Sequence, residues 1–350
     1  MKLAFDCERM KYAHTGIFEY CHQLGQALKA DKSAADQISY YLKPDLQQYF
    51  DAEDHFLNQN SLQKFIFPRH RHIDLWHTTY QLSSYIPVSK SIKRVLTIHD
   101  LNFLHEGKSL SKTNYYLKKH QKNIDLADHI VAISNFTKQD ILKNLDTGNK
   151  PITVIYNGCA EGILSAQTIP AYIAAKPFLF ALGTVNPKKN FHVLIPLLTG
   201  NDYELIIAGK TEPDYRDKIM AEASSYQVAD RVKVIGPVSE QEKLWYYKNC
   251  EAFLFPSIAE GFGIPPIEAM RFGKPTFLSS ATSLPEIGGD VAYYFNSYEP
   301  AAIKQVFEDG MNAYNRLQPA QEIIRHAKQF NWDNSAKAYW KVYRETLNQS

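Results

Sequence analysis

The stretch AFLFPSIAEGFGIPPIEAM, residues 252–270, contains the strand, loop and helix from which the fold can be inferred. Its first four residues are all apolar, which is typical of a buried strand. Pro265 and Pro266 fit only a loop or the first turn of a helix, so a helix is expected to begin there. This order places Glu260 in the loop after the strand and Glu268 in the first helical turn.

The same alternation of short apolar runs and longer periodic segments recurs along the chain. Strands are expected in the segments KLAFD, RVLTIHD, ITVIYNG, PFLFALG, ELIIAGK, RVKVIGP and PTFLSS. Helices are expected in GIFEYCHQLGQALKA, EKLWYYKNC and a stretch that runs through LADHIVAIS. This alternation predicts an α/β protein whose parallel sheets carry helices on both faces.

Two further segments bear on the domain organisation. Residues 161–177, EGILSAQTIPAYIAAKP, lack a clear period and are expected to form a linker. Residues 330–350, FNWDNSAKAYWKVYRETLNQS, place apolar groups three and four positions apart behind helix-capping residues. They predict an amphipathic helix with an aromatic face, which either docks on the second half of the chain or crosses back to the first.

The composition excludes several classes of protein. The chain has 350 residues, of which 45% are apolar and 22% charged, enough for two packed domains. A formal charge of +2 is too small for a protein that coats nucleic acid. Four scattered cysteines form no C-x-x-C pair, which favours a reducing, cytoplasmic setting over a disulfide framework. We expect neither a signal peptide nor a membrane span, so that any membrane contact would be peripheral.

The loop around Glu260 has the chemistry of a site for an anionic ligand that also carries hydroxyl groups. Gly261 and Gly263 allow a ligand to approach the backbone closely, and the helix that follows supplies partial positive charge. Carboxylates such as Glu260 and Glu268 accept hydrogen bonds from hydroxyls, so a nucleotide sugar fits both features. Alternatively, Glu268 only complements the helix dipole and Glu260 is a solvated loop acid.

A second strand–loop–helix segment, FLFALGTVNPKKNFHVLI at residues 178–195, adds a basic turn. Lys188 and Lys189 precede a helix that Asn190 is expected to cap. Lysines at that end oppose the helix dipole, so phosphate neutralisation explains them better than local stability does. A solvated basic turn is the alternative. Ligands bind beyond the carboxyl ends of strands in such sheets, where both segments are expected to lie.

Motifs along nearly the whole chain resemble the retaining glycosyltransferases of the GT-B fold, family 4. They are E-GFGIPPI-E at residues 260–268, GTVNPKKN, GPVSEQEKLWYYKNC, FLFPS, SLPEIGGDVAYYF, TIHDLNFL, HIVAISNFTKQDI and VIYNG. The resemblance implies two Rossmann-like domains facing across a cleft. Residues 1–172 would bind the acceptor, residues 173–330 would bind the nucleotide sugar, and residues 331–350 would form a helix that returns to the first domain.

The resemblance assigns roles to residues of the second half. Glu268 would bind the ribose, Lys189 the diphosphate, and Glu260 the donor sugar together with the backbone of residues 261–263. Thr184 stands where relatives often have arginine, and Lys188 would replace that arginine in part, although the two cations differ at a bidentate site. The donor-binding set is Glu268, Gly261, Phe262, Gly263, Ile264, Thr184, Lys188, Gly183 and Val238; the catalytic set is Glu260, Lys189 and His99.

In the first half, His99 and Asp100 end a predicted strand. The resemblance places His99 near the donor sugar, whereas a lone histidine at a strand end is usually structural. Asp100 would orient an acceptor hydroxyl or cap a turn. Thr15 and Gly16 are expected at the cleft, and Glu19 stands where relatives often have arginine.

No cofactor or metal is expected, because DAED and FDCE are weak candidates for a D-x-D motif. Ser239 and Glu242 have the spacing of a helix-capping box, and we interpret them as structural. Glu286 matches the family pattern without a role that can be assigned to it.

The expected reaction is transfer of a hexose to a saccharide or lipid-linked saccharide with retention of configuration, in polysaccharide or lipopolysaccharide synthesis. Because TIHDLNFL is similar to bacterial mannosyltransferases, GDP-mannose is the first candidate donor. The alternatives are a nucleotide-sugar epimerase of the same fold and a non-catalytic subunit that binds nucleotide sugars. A nicotinamide dehydrogenase is disfavoured, since no G-x-G-x-x-G follows a strand.

The first half also contains two basic segments. Lys112, Lys118, Lys119, His120 and Lys122 precede the next acid on a predicted helix, and KFIFPRHRH at residues 64–72 is a basic aromatic loop. Such segments meet an anionic membrane or a lipid-linked saccharide, or they form a solvated face.

Overall fold

The computed structural model describes residues 1–13, 15–68, 72–87, 89–159 and 169–348. The chain divides into two compact units. Unit 1 contains Met1–Ala160 and Phe330–Ser350, and unit 2 contains Glu161–Gln329. The end of the chain therefore belongs to unit 1. Residues 161–168 of the expected linker and residues 69–71 of the basic loop lie outside the described residues.

Unit 1 is built on a parallel sheet of seven strands. The strands are β1 Lys2–Asp6, β2 Gln37–Leu42, β3 His55–Asn58, β4 Leu75–Thr78, β5 Lys93–Ile98, β6 His129–Ala132 and β7 Ile152–Val154. Their spatial order is β3-β2-β1-β4-β5-β6-β7. The direction of strand addition therefore reverses between β1 and β4.

Unit 2 is built on a parallel sheet of six strands. The strands are β8 Phe178–Leu182, β9 Glu204–Ala208, β10 Val232–Gly236, β11 Ala252–Phe255, β12 Thr276–Ser279 and β13 Tyr293–Phe295. Their order, β10-β9-β8-β11-β12-β13, is that of a Rossmann fold, with the reversal between β8 and β11. Both units confirm the predicted α/β class.

The described residues form ten α-helices. They are α1 Gly16–Asp31, α2 Leu110–Leu126, α3 Asn135–Asn144, α4 Pro213–Ser225, α5 Glu240–Asn249, α6 Ile264–Arg271, α7 Leu284–Gly288, α8 Pro300–Leu317, α9 Ala320–Lys328 and α10 Trp332–Leu347. In α5, Ser239 and Glu242 form the predicted capping box. In α10, the Asn331 side chain caps the helix by accepting from the backbone N–H of Asn334.

Alternation along the strands sorts the side chains of unit 1 onto two faces of its sheet. Leu3, Phe5, Leu75, Val95 and Val131 share one hydrophobic cluster with residues of α1 and α10. The intervening residues point the other way. Ala4 and Trp76 pack with Tyr41, and Leu96 and Ile98 pack with Ile124 of α2. Helices α1 and α10 thus cover one face, and α2 covers part of the other.

Buried hydrogen bonds attach α10 to the sheet of unit 1. The Tyr343 hydroxyl lies 2.7 Å from His77 Nδ1, and His77 Nε2 lies 2.8 Å from Thr97 Oγ1. The Tyr339 hydroxyl reaches Thr97 Oγ1 at 2.9 Å and the Tyr20 hydroxyl at 2.7 Å. Burial lowers the pKa of His77 to about 3, so the network is neutral at physiological pH.

One predicted helix is wrong. The stretch LADHIVAIS was expected to be helical, but α2 ends at Leu126 and His129–Ala132 is strand β6. Every residue of β6 is buried between β5 and β7, and a fully buried strand has no alternation that would distinguish it from a helix. Strands β2, β3, β4 and β13 were not among the predicted strands.

The four cysteines of the chain are buried. Within the described ranges, no helix is both long enough and apolar enough to span a bilayer.

Candidate active site

The predicted donor residues lie where strand order reverses in unit 2. Gly183 follows β8 and Ser257 lies two residues beyond β11, and these two strands are hydrogen-bonded neighbours. The carboxyl ends of parallel strands leave a crevice at such a reversal, which is where open α/β sheets bind their ligands. The geometry of unit 2 therefore favours a ligand site between these two loops.

An ion pair connects the two loops. Lys189 Nζ lies 2.5 Å from Glu260 Oε1, and Ser257 Oγ donates to the same carboxylate oxygen at 2.5 Å. The ammonium group also lies 4.5 Å from the centroid of the Phe255 ring. The side chains of Lys189 and Glu260 are only 12% and 13% exposed. A cation and an anion, both partly accessible, are thus held side by side at the reversal point.

Glu260 is ionised at neutral pH. Burial alone would raise the pKa of its carboxyl group, but the charges of Lys189 and Lys188 and the hydrogen bonds from Lys189 and Ser257 lower it. The net effect is a pKa below its ordinary value. Glu260 can therefore accept hydrogen bonds from hydroxyls and is unsuited to donate a proton.

Gly183 makes room for Lys189. Its φ of +151° favours glycine, and a Cβ atom there would lie 3.0 Å from Lys189 Cε. The neighbouring Gly209 has a φ of +136°, and a Cβ atom there would lie 2.0 Å from the carbonyl oxygen of Gly183. Side chains at these two positions would displace the loop from which Lys189 extends.

Hydrogen bonds with Thr282 and Ser283 fix the loop of residues 260–263. Ser283 Oγ donates to the carbonyl oxygens of Glu260 at 2.9 Å and Phe262 at 2.8 Å. The backbone N–H of Glu260 donates to Thr282 Oγ1 at 2.9 Å. Gly261 and Gly263 are buried, and the Phe262 side chain lies in the core. Phe262 can therefore serve a ligand only through its backbone.

Glu268 lies on α6 in a separate set of contacts. Lys243 Nζ donates to Glu268 Oε1 at 2.7 Å, and the Tyr247 hydroxyl donates to Oε2 at 2.8 Å. Lys243 also pairs with Glu240 at 2.7 Å. Burial would lower the pKa of the Lys243 ammonium group, but the charges of Glu268 and Glu240 raise it above its ordinary value.

Two local predictions in unit 2 are wrong. Glu268 is the fifth residue of α6, in its second turn, because the helix begins at Ile264. Asn190 caps no helix with its side chain: its backbone is left-handed, with a φ of 58°, between the 3₁₀ helices Pro187–Lys189 and Phe191–Leu198. Pro196 within the second segment is incompatible with a regular α-helix.

The other predicted donor residues surround these contacts. Thr184 is exposed beside Gly183, and Lys188 is half-buried. The carbonyl oxygen of Lys188 accepts from the backbone N–H of Ile258 at 2.9 Å, which joins the two loops. Ile264 and Val238 are half-buried at the starts of α6 and α5.

In unit 1, His99 is fixed at the carboxyl end of β5. Its Nε2 lies 2.7 Å from the carbonyl oxygen of Thr79, and its ring centroid lies 4.6 Å from that of Tyr20. Burial lowers the pKa of His99. Because a carbonyl oxygen only accepts, Nε2 carries the proton of the neutral ring and Nδ1 is an acceptor.

The remaining predicted residues of unit 1 make local contacts. Asp100 Oδ1 accepts from the backbone N–H of Asn102 at 3.0 Å, as in the turn-capping alternative. Thr15 caps α1 by accepting from the backbone N–H of Phe18 at 3.3 Å. Gly16 is exposed.

Sequence reasoning missed a buried acid at the end of β1. Asp6 accepts from the backbone N–H of Glu8 at 3.0 Å and from Ser83 Oγ at 3.1 Å. Burial is the largest of the effects that raise its pKa to about 7. The segment FDCE was considered only as a metal motif, although an acid at the end of a predicted strand points to the ligand edge of the sheet.

Two further residues missed from the sequence are Lys243 and Tyr247. They are four positions apart on α5, and side chains at that spacing share one face of a helix. That spacing would have identified a polar pair on a predicted helix, but not Glu268 as its partner. Across the described ranges, no group of three or more His, Cys, Asp or Glu side chains could hold a metal ion. That the protein needs no metal stays a prediction.

Two family models match the chain. Residues 171–329 match the glycosyl transferases group 1, and residues 20–160 match glycosyltransferase family 4. The matches correspond closely to unit 2 and to most of unit 1.

The chain is 30% identical over 279 residues to the serotype-specific mannosyltransferase WbdA of Escherichia coli. The alignment covers 74% of this chain and 34% of WbdA, so the chain spans about a third of that relative's length. The O-antigen chain mannosyltransferase B of Escherichia coli is 24% identical over 394 residues, which cover 98% of this chain and all of that protein.

Among solved structures, the glycosyltransferase from Rickettsia africae has a TM-score of 0.75 to this chain at 16% identity. The superposition covers 100% of this chain and 98% of that one, which demonstrates a common fold. Together, the fold and the two adjoining family matches show that the chain belongs to the group 1, family 4 glycosyltransferases.

Proposed function

We propose that the chain is a retaining mannosyltransferase that transfers mannose from GDP-mannose to a saccharide or lipid-linked saccharide in O-antigen or lipopolysaccharide synthesis. The observation that carries the proposal is the Lys189–Glu260 ion pair at the point of strand reversal in unit 2. It provides a cation for a diphosphate and a carboxylate for sugar hydroxyls on adjoining loops.

In this proposal Lys189 stabilises the leaving group. The bond between the anomeric carbon and the diphosphate oxygen breaks, which develops negative charge on the diphosphate. A preorganised cation stabilises that charge more than it stabilises the bound donor, and so accelerates the reaction. The acceptor oxygen attacks the same face of the sugar, and its proton passes to the departing phosphate oxygen.

Glu260 and Glu268 hold the donor. Glu260 is ionised and shares Lys189 with the diphosphate, while it accepts hydrogen bonds from sugar hydroxyls. Each oxygen of Glu268 already accepts one hydrogen bond, from Lys243 or from Tyr247, and each retains a second lone pair. Two lone pairs on neighbouring oxygens suit the two adjacent hydroxyls of a ribose.

The acceptor is assigned to unit 1. His99, with an unprotonated Nδ1, Asp100, Thr15 and Gly16 are the proposed contacts. Their chemistry is neutral or hydroxyl-binding, which suits a saccharide. The cytoplasm is the proposed location, since nucleotide-sugar donors and buried thiols both fit a reducing compartment.

Mannose is favoured by the names of the relatives: WbdA and the O-antigen chain mannosyltransferase B are both called mannosyltransferases. The exposed Thr184 leaves Lys188 and Lys189 as the cations of the Gly183 loop. This pair is expected to bind the diphosphate as two point charges rather than as a bidentate clamp.

The first test is ligand-induced thermal stabilisation by GDP, UDP, GDP-mannose, UDP-glucose and UDP-N-acetylglucosamine. A ligand that binds only the native state raises the unfolding midpoint by mass action. We expect GDP and GDP-mannose to raise it and the uridine compounds to leave it unchanged. Stabilisation by the uridine series alone would overturn GDP-mannose, and no response to any compound would overturn the donor site.

The second test is transfer itself. Incubation with GDP-mannose and a mannose-containing oligosaccharide is expected to release GDP and extend the oligosaccharide, and NMR of the new linkage identifies its anomeric configuration. An α-linkage formed from the α-linked donor supports retention. Interconversion of the donor without an acceptor would instead identify an epimerase.

A further inference from the structure

A short segment of unit 1 exposes three large apolar side chains. Leu62, Phe65 and Ile66 are 76%, 87% and 81% exposed, and they lie in and just after the 3₁₀ helix Ser61–Lys64. Single exposed apolar residues are ordinary on protein surfaces. Three within five residues form a local patch, and such patches mark interaction sites.

The segment is fixed to the sheet. Asn60 and Gln63 form a capping box around the 3₁₀ helix, and Gln63 Oε1 accepts from the buried Tyr41 hydroxyl at 2.6 Å. Phe67 packs its ring against Tyr41 and Trp76. The exposed side chains therefore project from an anchored turn.

Helix α2 has a basic face that is also exposed. The exposed residues along it include four lysines together with Leu110 and Tyr115; the lysines are Lys112, Lys118, Lys119 and Lys122. His120 was predicted to belong to this basic face, but it is buried, with Nδ1 2.8 Å from the carbonyl oxygen of Tyr116. No acid occurs in residues 107–124 or in residues 55–73.

Both elements cover the same face of the sheet in unit 1. Tyr41 and Trp76, which hold the Phe67 end of the segment, lie on the face opposite α1 and α10. Leu96 and Ile98, which pack with α2, lie on that same face because they continue the alternation from Arg94, the register partner of Trp76. The apolar segment and the basic helix thus belong to one outer layer.

We propose that this layer rests on an anionic phospholipid bilayer. The contact surface consists of Leu62, Phe65 and Ile66 with Lys64 and the four lysines of α2, and we call it the basic-apolar surface. The three apolar side chains enter the acyl region, while the lysines keep their ammonium groups among the anionic headgroups.

Charge and side-chain type select this occupant over others. Two copies of the basic-apolar surface would bring lysines of the same sign together, which disfavours self-association. A nucleic acid would pair with the lysines but gives no partner to the aliphatic Leu62 and Ile66. An anionic bilayer satisfies both, because each lysine near its surface adds electrostatic attraction and each apolar side chain leaves water. The proposal is independent of which nucleotide sugar unit 2 binds.

The test measures co-sedimentation of the full chain with two kinds of vesicle. One contains phosphatidylcholine alone, and the other contains equal parts of phosphatidylcholine and phosphatidylglycerol. Binding is expected to the mixed vesicles only, and it is expected to weaken as salt screens the lysines. No binding to the mixed vesicles, or equal binding to both kinds, would overturn the proposal.

Two variants locate the contact. Phe65→Ser is expected to reduce partition onto the mixed vesicles about tenfold, whereas Leu317→Ser, which changes an exposed leucine of unit 2, is the control. Changing the four lysines of α2 to Gln is expected to reduce partition about 100-fold or more. Its control changes the same number of exposed lysines elsewhere, Lys32, Lys218, Lys248 and Lys337, to Gln.

All these side chains are exposed, so each variant is expected to keep the thermal midpoint of the native chain. If test and control variants bind the mixed vesicles equally, another surface makes the contact and the proposal is wrong. It is also wrong if the chain forms a dimer in solution that Phe65→Ser dissociates, since the patch would then be a self-association interface.

Discussion

The carboxyl edge of each sheet contains an acid that is largely shielded from water, and the net pKa shifts of the two acids are opposite. In unit 2, Glu260 is paired with Lys189, and the nearby cations lower its pKa despite burial. In unit 1, Asp6 accepts hydrogen bonds from Glu8 and Ser83, and burial raises its pKa to about 7. The same residue chemistry thus yields a fixed anion at one edge and a titrating acid at the other.

The difference indicates what each edge is suited to bind. The edge of unit 2 holds a compensated charge, and its cation can be shared with an arriving phosphate without creating an unpaired charge. Around His99, the edge of unit 1 is built from neutral hydrogen-bonding groups: the Thr79 carbonyl accepts from the ring, and the Gln81 side chain accepts from the His99 backbone N–H. Neutral groups recognise hydroxyls better than they neutralise phosphates, so the comparison supports the proposed division between donor and acceptor.

The largest effect is expected for Lys189→Ala. The change removes the cation proposed to stabilise the leaving diphosphate, a loss of about 3 to 4 kcal/mol of transition-state stabilisation. Turnover at saturating GDP-mannose is expected to fall about 100-fold or more. Steady-state release of GDP measures it.

The matched control is Lys210→Ala, which removes an exposed lysine just beyond β9 at the same sheet edge. This control is expected to keep near-normal turnover, because we assign Lys210 no contact with the donor. Near-normal turnover of the Lys189 variant would show that the ion pair is structural, and the contrast between the two edges would lose its functional meaning.

The next prediction concerns Asp6. Its folded-state pKa of about 7 exceeds the ordinary value of 3.8, so the folded state binds the proton more tightly than the unfolded state. The resulting stabilisation is complete below about pH 4 and is lost as pH rises through about 7. Asp6→Asn keeps the shape without the charge, and between pH 5 and 8 it is expected to gain about 2 kcal/mol relative to the native chain.

Urea unfolding of both proteins at pH 5, 6, 7 and 8 provides the measurement, and the difference between the two proteins cancels other titrating groups. The control is Asp36→Asn in the same unit, where hydrogen bonds from Ser33 and Arg344 outweigh burial and lower the pKa to about 2. That variant is expected to lose stability above pH 4. A pH-independent difference for Asp6→Asn would mean that Asp6 stays ionised in the folded state.

The element pattern of the fold could be predicted because parallel strands and their crossover helices leave distinct periods in the sequence. The strand at 252–255, the helix that follows it and the amphipathic α10 are all confirmed. The helix predicted over His129–Ala132 was wrong, because every residue of strand β6 is buried and its sequence therefore shows no alternation of apolar and polar residues. The 3₁₀ backbone around Asn190 was equally hidden, because a left-handed asparagine looks like a helix cap in sequence.

The site residues that follow strands could be predicted from the sequence. Those that depend on tertiary packing could not. Gly183, Lys189 and Glu260 were identified from their positions after apolar runs, and the structure brings Lys189 and Glu260 into contact. Ser283, which fixes the Glu260 loop, comes from another loop and gives no local signal. The same holds for the Lys243 contact to Glu268, which joins two helices.

The contact between Lys243 and Glu268 is expected to contribute to donor binding in unit 2. Lys243→Met keeps the apolar stem but removes the ammonium group that donates to Glu268. Because a hydrogen bond between charged groups contributes about 1.5 kcal/mol or more, the KM for the donor is expected to rise about tenfold with little change in kcat.

Lys248→Met on the same helix, at an exposed position, is the control and is expected to leave both constants unchanged. A fall in kcat at constant KM would assign Lys243 to the chemical step instead of to the positioning of Glu268. Tyr247→Phe, which removes the other donor to Glu268, is expected to raise the KM less than Lys243→Met, since its hydroxyl is uncharged.

The smallest expected effect is a change in the free energy of unfolding, and it tests whether the buried His77 of unit 1 is neutral. Tyr343→Phe deletes the hydroxyl that lies 2.7 Å from His77 Nδ1 and leaves that nitrogen buried without this partner. The free energy of unfolding is expected to fall by about 1 kcal/mol. Because His77, with a pKa of about 3, is neutral in the folded state, this loss is expected to be constant between pH 6 and 8.

Tyr40→Phe, which removes a buried hydrogen bond from the Tyr40 hydroxyl to the Gly25 carbonyl, is the matched control without a titratable partner. A loss that grew as the pH fell toward 6 for Tyr343→Phe alone would show that His77 titrates in that range, and the contrast between a charged edge in unit 2 and a neutral interior in unit 1 would then fail.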